Sequence, residues 1–303
     1  MSDKARRKSL GVEWPTLALI VLCYSAFGLG TIWLADWWLP AGIVVTTLSM
    51  ALHSSLSHEV LHGHPFRSRA LSEALVFPAI GVFIPYLRFR DTHLAHHLDA
   101  ILTDPYDDPE SNYQDPEIWA DLPRWRRKVL SFNNTLAGRL LIGPIVAQVA
   151  FMTSDRVAIR GGDKATLRGW LWHIPALAIV VGWMMSVAQM PVWAYLMSAY
   201  LALSILKIRT FLEHQAHECA RGRTVIIEDR GPLSWIFLNN NLHVVHHAHP
   251  RMPWYQLPKM FRDNRARYLA RNGGYYYRSY AEVFRRYFRV RKDPVPHPLW
   301  PKS

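Results

Sequence analysis

The chain is poor in the residues and motifs that build most cofactor and metal sites. Its 303 residues include two cysteines, Cys23 in an apolar run and Cys219 in a polar one. That excludes a disulfide framework and any CxxC metal knuckle. There is no GxGxxG fingerprint and no His-Pro-Gly-Gly segment, so no flavin, nicotinamide or haem module is built into the sequence. Acidic residues are also few, 23 against 35 Lys and Arg, for a formal charge of +12. Such a balance suits nucleic acid, anionic lipid or an acidic partner. No nucleic-acid-binding motif accompanies it, so no nucleic-acid partner is expected. Charge is missing altogether from residues 15–35, 41–57, 170–188 and 192–206. With half of all residues hydrophobic, these blocks predict four membrane-spanning helices rather than a soluble core.

The four blocks pair into two hairpins. Asp36-Trp37-Trp38-Leu39-Pro40 joins the first pair and Gln189-Met190-Pro191 the second. Trp33, Trp37, Trp38, Trp183 and Trp193 lie where an interfacial aromatic belt is expected. The first block follows Lys4, Arg6, Arg7 and Lys8 in the manner of a signal sequence, but it is long enough to span and reads as a retained helix. Residues 74–87 and 136–152 are weaker apolar stretches holding Pro78, Gly81, Pro85, Gly138, Arg139, Gly143 and Pro144. They are expected to be helices that lie in the interface or re-enter it. If either crossed, the histidine clusters would face opposite sides. Neither hairpin turn carries Lys or Arg, whereas the other side carries many, from the N-terminus to Lys207 and Arg209. The positive-inside rule therefore predicts cytoplasmic termini and a cytoplasmic His-rich cap, with the protein in the inner (cytoplasmic) membrane. The expected organisation is one all-α integral membrane domain, residues 1–303. It divides into a basic tail (1–14), a first hairpin (15–57), an interfacial region (58–169), a second hairpin (170–207) and a cytoplasmic region (208–303). The last ends in an extended Pro-rich stretch, residues 294–301.

Histidine is abundant where cysteine is scarce. Thirteen of the fifteen histidines fall in four clusters. These are His53, His58, His62 and His64; His93, His96 and His97; His214 and His217; and His243, His246, His247 and His249. His58 and His62 make an HxxxH spacing, and the second and fourth clusters each contain HxxHH. On a helix those spacings put the rings on one face. Imidazole is a good ligand for iron, zinc or copper, and eight such rings exceed the needs of one tetrahedral zinc. Two metals fit the count better. His173 reads as a core residue at a span end. His53, His64, His249 and His297 read as supporting or structural. Glu59, Asp91 and Asp99 flank the clusters and either orient ligand rings or act as solvated charges and caps. Asn239, Asn240 and Asn241 precede the second HxxHH run and either cap its helix or hydrogen-bond a ligand ring, the cap being the favoured reading. The loop from Thr103 to Glu110 reads as turn chemistry.

Arranged as HxxxH, HxxHH and HxxHH between two hairpins, these residues resemble the membrane fatty acid desaturase superfamily. That group includes related acyl hydroxylases and carotenoid ketolases and hydroxylases. The resemblance covers residues 15–255, and His-Glu-x-x-His-Gly at 58–63 is similar to the family's first box. It implies a di-iron centre, with O₂ as co-substrate, held by His58, His62, His93, His96, His97, His243, His246 and His247. It implies one further ligand before the third box, His214, with His217 as its competitor. It also implies a double bond introduced into an acyl chain, with hydroxylation or ketolation as the alternative outcome. The loop from Thr103 to Glu110 is similar to an Asp-Pro-Asp/Glu segment of carotenoid ketolases. The partners implied are a lipid acyl substrate, membrane lipids and an external electron donor, ferredoxin or cytochrome b5-like. A histidine-rich transporter, the reading from a different class, would place ionisable groups mid-span, and these spans lack them.

Overall fold

The computed structural model describes residues 12–98 and 100–300. Lys4, Arg6, Arg7, Lys8 and Asp99 lie outside the described residues. The chain is mostly helical, 65%, and four helices are long and apolar enough to cross a membrane. The first, α1 (Trp14–Trp37), runs through a π-helical turn at Gly30–Leu34 and is followed by α2 (Leu39–Leu61). Only Trp38, in an extended conformation, separates them. Glycines set how closely they pack. A Cβ on Gly30 would meet the Thr46 hydroxyl at 2.6 Å, and one on Gly42 would meet the Ala35 backbone at 2.9 Å. Lipid offers no hydrophobic drive between helices, so close backbone contact through small residues carries much of the association. Three hydroxyls are satisfied within their own helices: Thr31, Ser49 and Ser198 donate to the carbonyls of Phe27, Val45 and Ala194, four residues back.

Two expectations are corrected in the stretch that follows. Residues 74–87 are not a helix. Helix Arg69–Leu75 stops, residues 76–85 run irregularly, and a new helix, α3 (Tyr86–His96), begins after Pro85. Pro78, Gly81 and Pro85 account for the break, since proline removes donors and glycine weakens a helix. Irregular backbone in apolar surroundings must have its carbonyls satisfied by other means. Three side chains do so, and a fourth meets the carbonyl just before the stretch. Tyr24 from α1 donates to Leu75 O at 2.7 Å. Gln148, Tyr195 and His173 donate to Phe83 O (2.9 Å), Ile80 O (2.6 Å) and Val82 O (2.8 Å). The last bond holds Val82 at φ +53, a conformation that costs energy for a β-branched residue. His173 is thus a core residue, as read, but one with a specific task. Replacing it with alanine should lower thermal stability by about 1–3 kcal/mol, the cost of an unsatisfied buried carbonyl, and leave bound metal unchanged. A melting curve beside a metal assay checks both halves.

The stretch at 136–152 is also broken. After helix α4 (Arg124–Asn133) come α5 (Leu136–Leu141) and α6 (Gly143–Arg160), divided at Ile142. Gly143-Pro144 opens α6, where a proline in the first turn sacrifices no helical hydrogen bond. α6 exposes Ile145, Val149 and Met152 along one face. The remaining spans are α7 (Lys164–Ser186) and α8 (Val192–Thr210). Arg88 of α3 is bonded to Asp155 of α6 at 2.8 and 2.9 Å, and Trp170 of α7 donates to the same carboxylate. These bonds lock three helices together around the base of α3.

Beyond α8 the described chain includes one short strand pair within an otherwise helical fold. Ile226–Ile227 pairs in parallel with Tyr276–Tyr277. The same segment bonds to the start of α9 (His243–Ala248), through Val244 N to Val225 O and Ile227 N to Asn241 O. Buried Ile226, Leu242, Val244, Val245, Leu257 and Phe261 form the core beneath it.

Candidate metal centre

Four parts of the chain bring histidines to one place. α2 supplies His58 in its last turn and His62 just past its end. α3 supplies His93 and His96, with His97 at its C-cap. α9 supplies His243, His246 and His247. His214 enters from the segment after α8, paired with Thr224 by an antiparallel bridge. The nine rings fall into two groups. One contains His58, His62, His93, His97 and His246; the other contains His96, His214, His243 and His247. Within each group the donor nitrogens lie within 4.8 Å of one another. The groups are adjacent, since His97 of one stacks on His247 of the other with centroids 4.4 Å apart.

The nitrogens that meet are the Nε2 atoms. His93 and His97 approach to 3.0 Å, and His97 and His246 to 3.1 Å. His214 lies 2.8 Å from His96 and 3.0 Å from His243. A metal–nitrogen bond of about 2.0–2.1 Å places neighbouring ligand atoms about 3 Å apart. The spacing therefore suits nitrogens that share a cation. His58 Nε2 and His62 Nε2 are buried and take no hydrogen bond. An unpartnered buried imidazole nitrogen is costly in apolar surroundings, and coordination would satisfy it. A donor set of nine imidazoles in two groups could hold two ions of iron, zinc or copper type.

A family model described as fatty acid desaturase matches residues 33–280, a stretch containing all nine histidines. The chain belongs to the fatty acid desaturase family. It is 28% identical to human sphingolipid delta(4)-desaturase/C4-monooxygenase over 260 residues, 82% of this chain and 72% of that protein. It is 25% identical to beta-carotene ketolase of Paracoccus sp. (strain PC1) over 265 residues, 80% of this chain and 89% of that protein. Family membership and four apolar helices together point to an integral membrane protein.

In this desaturase-family chain the rear nitrogens of three rings are held by oxygen. His96 Nδ1 lies 2.7 Å from Asp108 and His93 Nδ1 lies 3.0 Å from Glu110. His243 Nδ1 lies 3.0 Å from the Asn240 side-chain oxygen. A ring that donates Nδ1–H backwards presents the Nε2 lone pair forwards. Behind Asn240 stands Glu213, which accepts from its amide at 3.2 Å and lies 3.0 Å from Arg209. Electrostatics favour neutral rings at most positions. Burial, then neighbouring histidines, push His62 down to about 2 and hold His97, His214, His243 and His246 far below the ordinary histidine range. His96 is the exception. Burial opposes its charge, but Glu110 and Asp108 outweigh it and raise the ring to about 9. A positive charge is therefore favoured at the second group.

Other histidines stay outside both groups. His217 is bonded to the Cys219 backbone. His53 bonds Tyr24, His64 pairs with Glu13, His249 bonds Tyr268 and His297 bonds Thr103. Of the flanking acids, Glu59 accepts from Trp254 N at 3.1 Å and is 3.9 Å from His58, while Asp91 pairs with Arg90. The asparagine expectation is corrected: Leu242 occupies the N-cap of α9 and no side chain caps it. Asn240 orients His243 instead, and Asn241 donates to Ile227 O. The sequence offers Asp108 and Glu110 as turn residues or as part of a ketolase-like acidic segment, and neither reading places them behind the rings. Asp104 accepts from Tyr106 N and Asp107 N, while Asp108 combines a turn role, accepting from Thr103 N and Glu110 N, with its contact to His96. The signal in the sequence was an acid in excess of what one turn requires.

Proposed function

We propose that the chain is an O₂-dependent di-iron membrane oxidoreductase that introduces a double bond into a fatty acyl chain, free or carried in a lipid. The observation that supports this most is the pair of adjacent all-histidine groups at the ends of apolar helices. The ligands would be His58, His62, His93, His97 and His246 for one ion and His96, His214, His243 and His247 for the other. Iron with O₂ supplies hydrogen removal from an unactivated methylene, which acid–base side chains cannot achieve. Asp108, Glu110 and Asn240 fix ring orientation, and the buried setting keeps water from the rings. Forming an alkene removes two hydrogens, while reducing O₂ to two waters takes four electrons. Two electrons must come from elsewhere, so an external donor, ferredoxin or cytochrome b5-like, is required.

In this reading α1–α2 and α7–α8 are two membrane hairpins of a single domain, with the histidines and both termini cytoplasmic. α4 fits an interfacial helix. Trp125, Val129 and Phe132 are exposed at helical spacing, beside exposed Arg124, Arg126 and Lys128. Its cations also suit an acidic donor. Changing Arg124, Arg126 and Arg127 together to Glu should slow donor-dependent turnover about 10-fold or more at low salt, with artificial-reductant turnover retained. Equal rates with the protein donor would remove the docking site from this helix.

The second reading, acyl hydroxylation or carotenoid ketolation, draws on the ketolase match across 89% of that relative. Lipid mass spectrometry on a bacterial host expressing wild type or His96→Ala separates them. Loss of two hydrogens from acyl chains with wild type alone supports desaturation. Gain of oxygen in acyl chains, or in supplied carotenoid, moves the assignment to the second reading.

A further inference from the structure

The proline-containing end of the chain returns to the metal centre. Its backbone joins two separate segments: Lys292 N donates to Asn134 O at 3.0 Å and Gln114 N to Val295 O at 2.9 Å. His297 N closes the ladder on Gln114 O at 2.8 Å, and the Asn134 amide donates to Asp293 O at 2.6 Å. Pro294 and Pro296 flank Val295, holding the stretch extended while offering no unpaired N–H. Val295 itself is buried.

Side chains carry the connection inward. Buried Lys292 donates to the backbone carbonyl of His214 and lies 3.3 Å from Asp293. A buried ammonium is tolerated only with such partners. The Tyr113 hydroxyl donates to Asp293 at 2.6 Å and accepts from Ala216 N at 2.9 Å, two residues beyond His214. On the other flank, His297 meets Thr103 at 3.3 Å, and Thr103 N donates to Asp108 at 2.8 Å. Asp108 is the carboxylate behind His96. One short stretch therefore holds both His214 and the support of His96, two members of the same four-ring group.

We propose that residues 292–297 are a strap that positions the second histidine group, with Tyr113, Lys292 and Asp293 as its positioning residues. The proposal rests on the reading of the nine histidines as ligands of two ions. Loosening the strap frees His214 and the Asp108 loop, whereas His58 and His62 are set by α2. The second ion should then be lost before the first. The test uses full-length purified protein, with iron per chain measured by elemental analysis during titration with ferrous ion, beside thermal melting. Wild type should take up two ions. Lys292→Met and Asp293→Asn should keep one, with the second weakened about 10- to 100-fold, the usual effect of removing a ligand's support. Lys292→Arg, which preserves the cation and its donors, should restore the second. If Lys292→Met and Asp293→Asn bind two ions as wild type does, the strap is wrong while the ligand reading stands. Loss of both ions in step with a lower melting point also overturns it, because that is the signature of general unfolding. A wild-type protein that never binds two ions brings down the ligand reading, and the strap with it.

Discussion

His246→Ala is expected to strip bound iron and abolish turnover. The side chain is buried, its Nε2 sits 3.1 Å from His97 Nε2, and its ring packs 4.6 and 4.7 Å from His58 and His62. It is the only member of its group contributed by α9, so it ties box three to boxes one and two. Losing a residue that merely supports a ligand costs about 10- to 100-fold. Losing the ligand itself should cost more than about 100-fold in turnover on that scale. Elemental analysis should show depleted iron in the variant, with helix content by circular dichroism unchanged. Iron at the wild-type level with full activity would dismiss the five-ring group as a metal site.

The second large effect divides two neighbours. His214→Ala should remove the second ion and reduce turnover by at least about 100-fold on the same reasoning, whereas His217→Ala should retain two ions and most activity. Both histidines lie in one short segment with identical chemistry, and spacing alone left them competing. The structure brings only His214 among the other rings, with Nε2 contacts to both His96 and His243. His217 faces the Cys219 backbone and packs over Gly222, where an added Cβ would lie 2.4 Å from its ring. Iron titration of the two single variants gives the answer. If His217→Ala loses the ion and His214→Ala keeps it, the four-ring group is misassigned.

These two residues mark where the sequence stops being informative. Four spans were legible because uncharged runs of that length have few other uses, and their ends shift only by a turn or so. The box histidines were legible because i, i+3 and i+4 spacing survives translation into a helix face. What could not be read depends on contacts between distant segments. Nothing local distinguishes His214 from His217, and nothing local tells Asp108 and Glu110 from the turn acid Asp104. Asn240 looked like a cap because caps are the common use of asparagine before a helix. The broken stretches at 74–87 and 136–152 were marked by Pro78, Pro85 and Pro144, but apolar composition outweighed them in the reading. The carbonyl donors that make a non-helical path affordable come from helices up to 115 residues away.

That path, residues 76–85, has a consequence for assembly. Three of its carbonyls are met by Gln148, His173 and Tyr195, and that of Leu75 just before it by Tyr24, one donor each from α6, α7, α8 and α1. With any of these helices out of place, a carbonyl in or beside the stretch loses its donor in apolar surroundings. The stretch leads directly into α3, which presents His93, His96 and His97. The packing of four helices is thereby coupled to the position of three of the nine histidines.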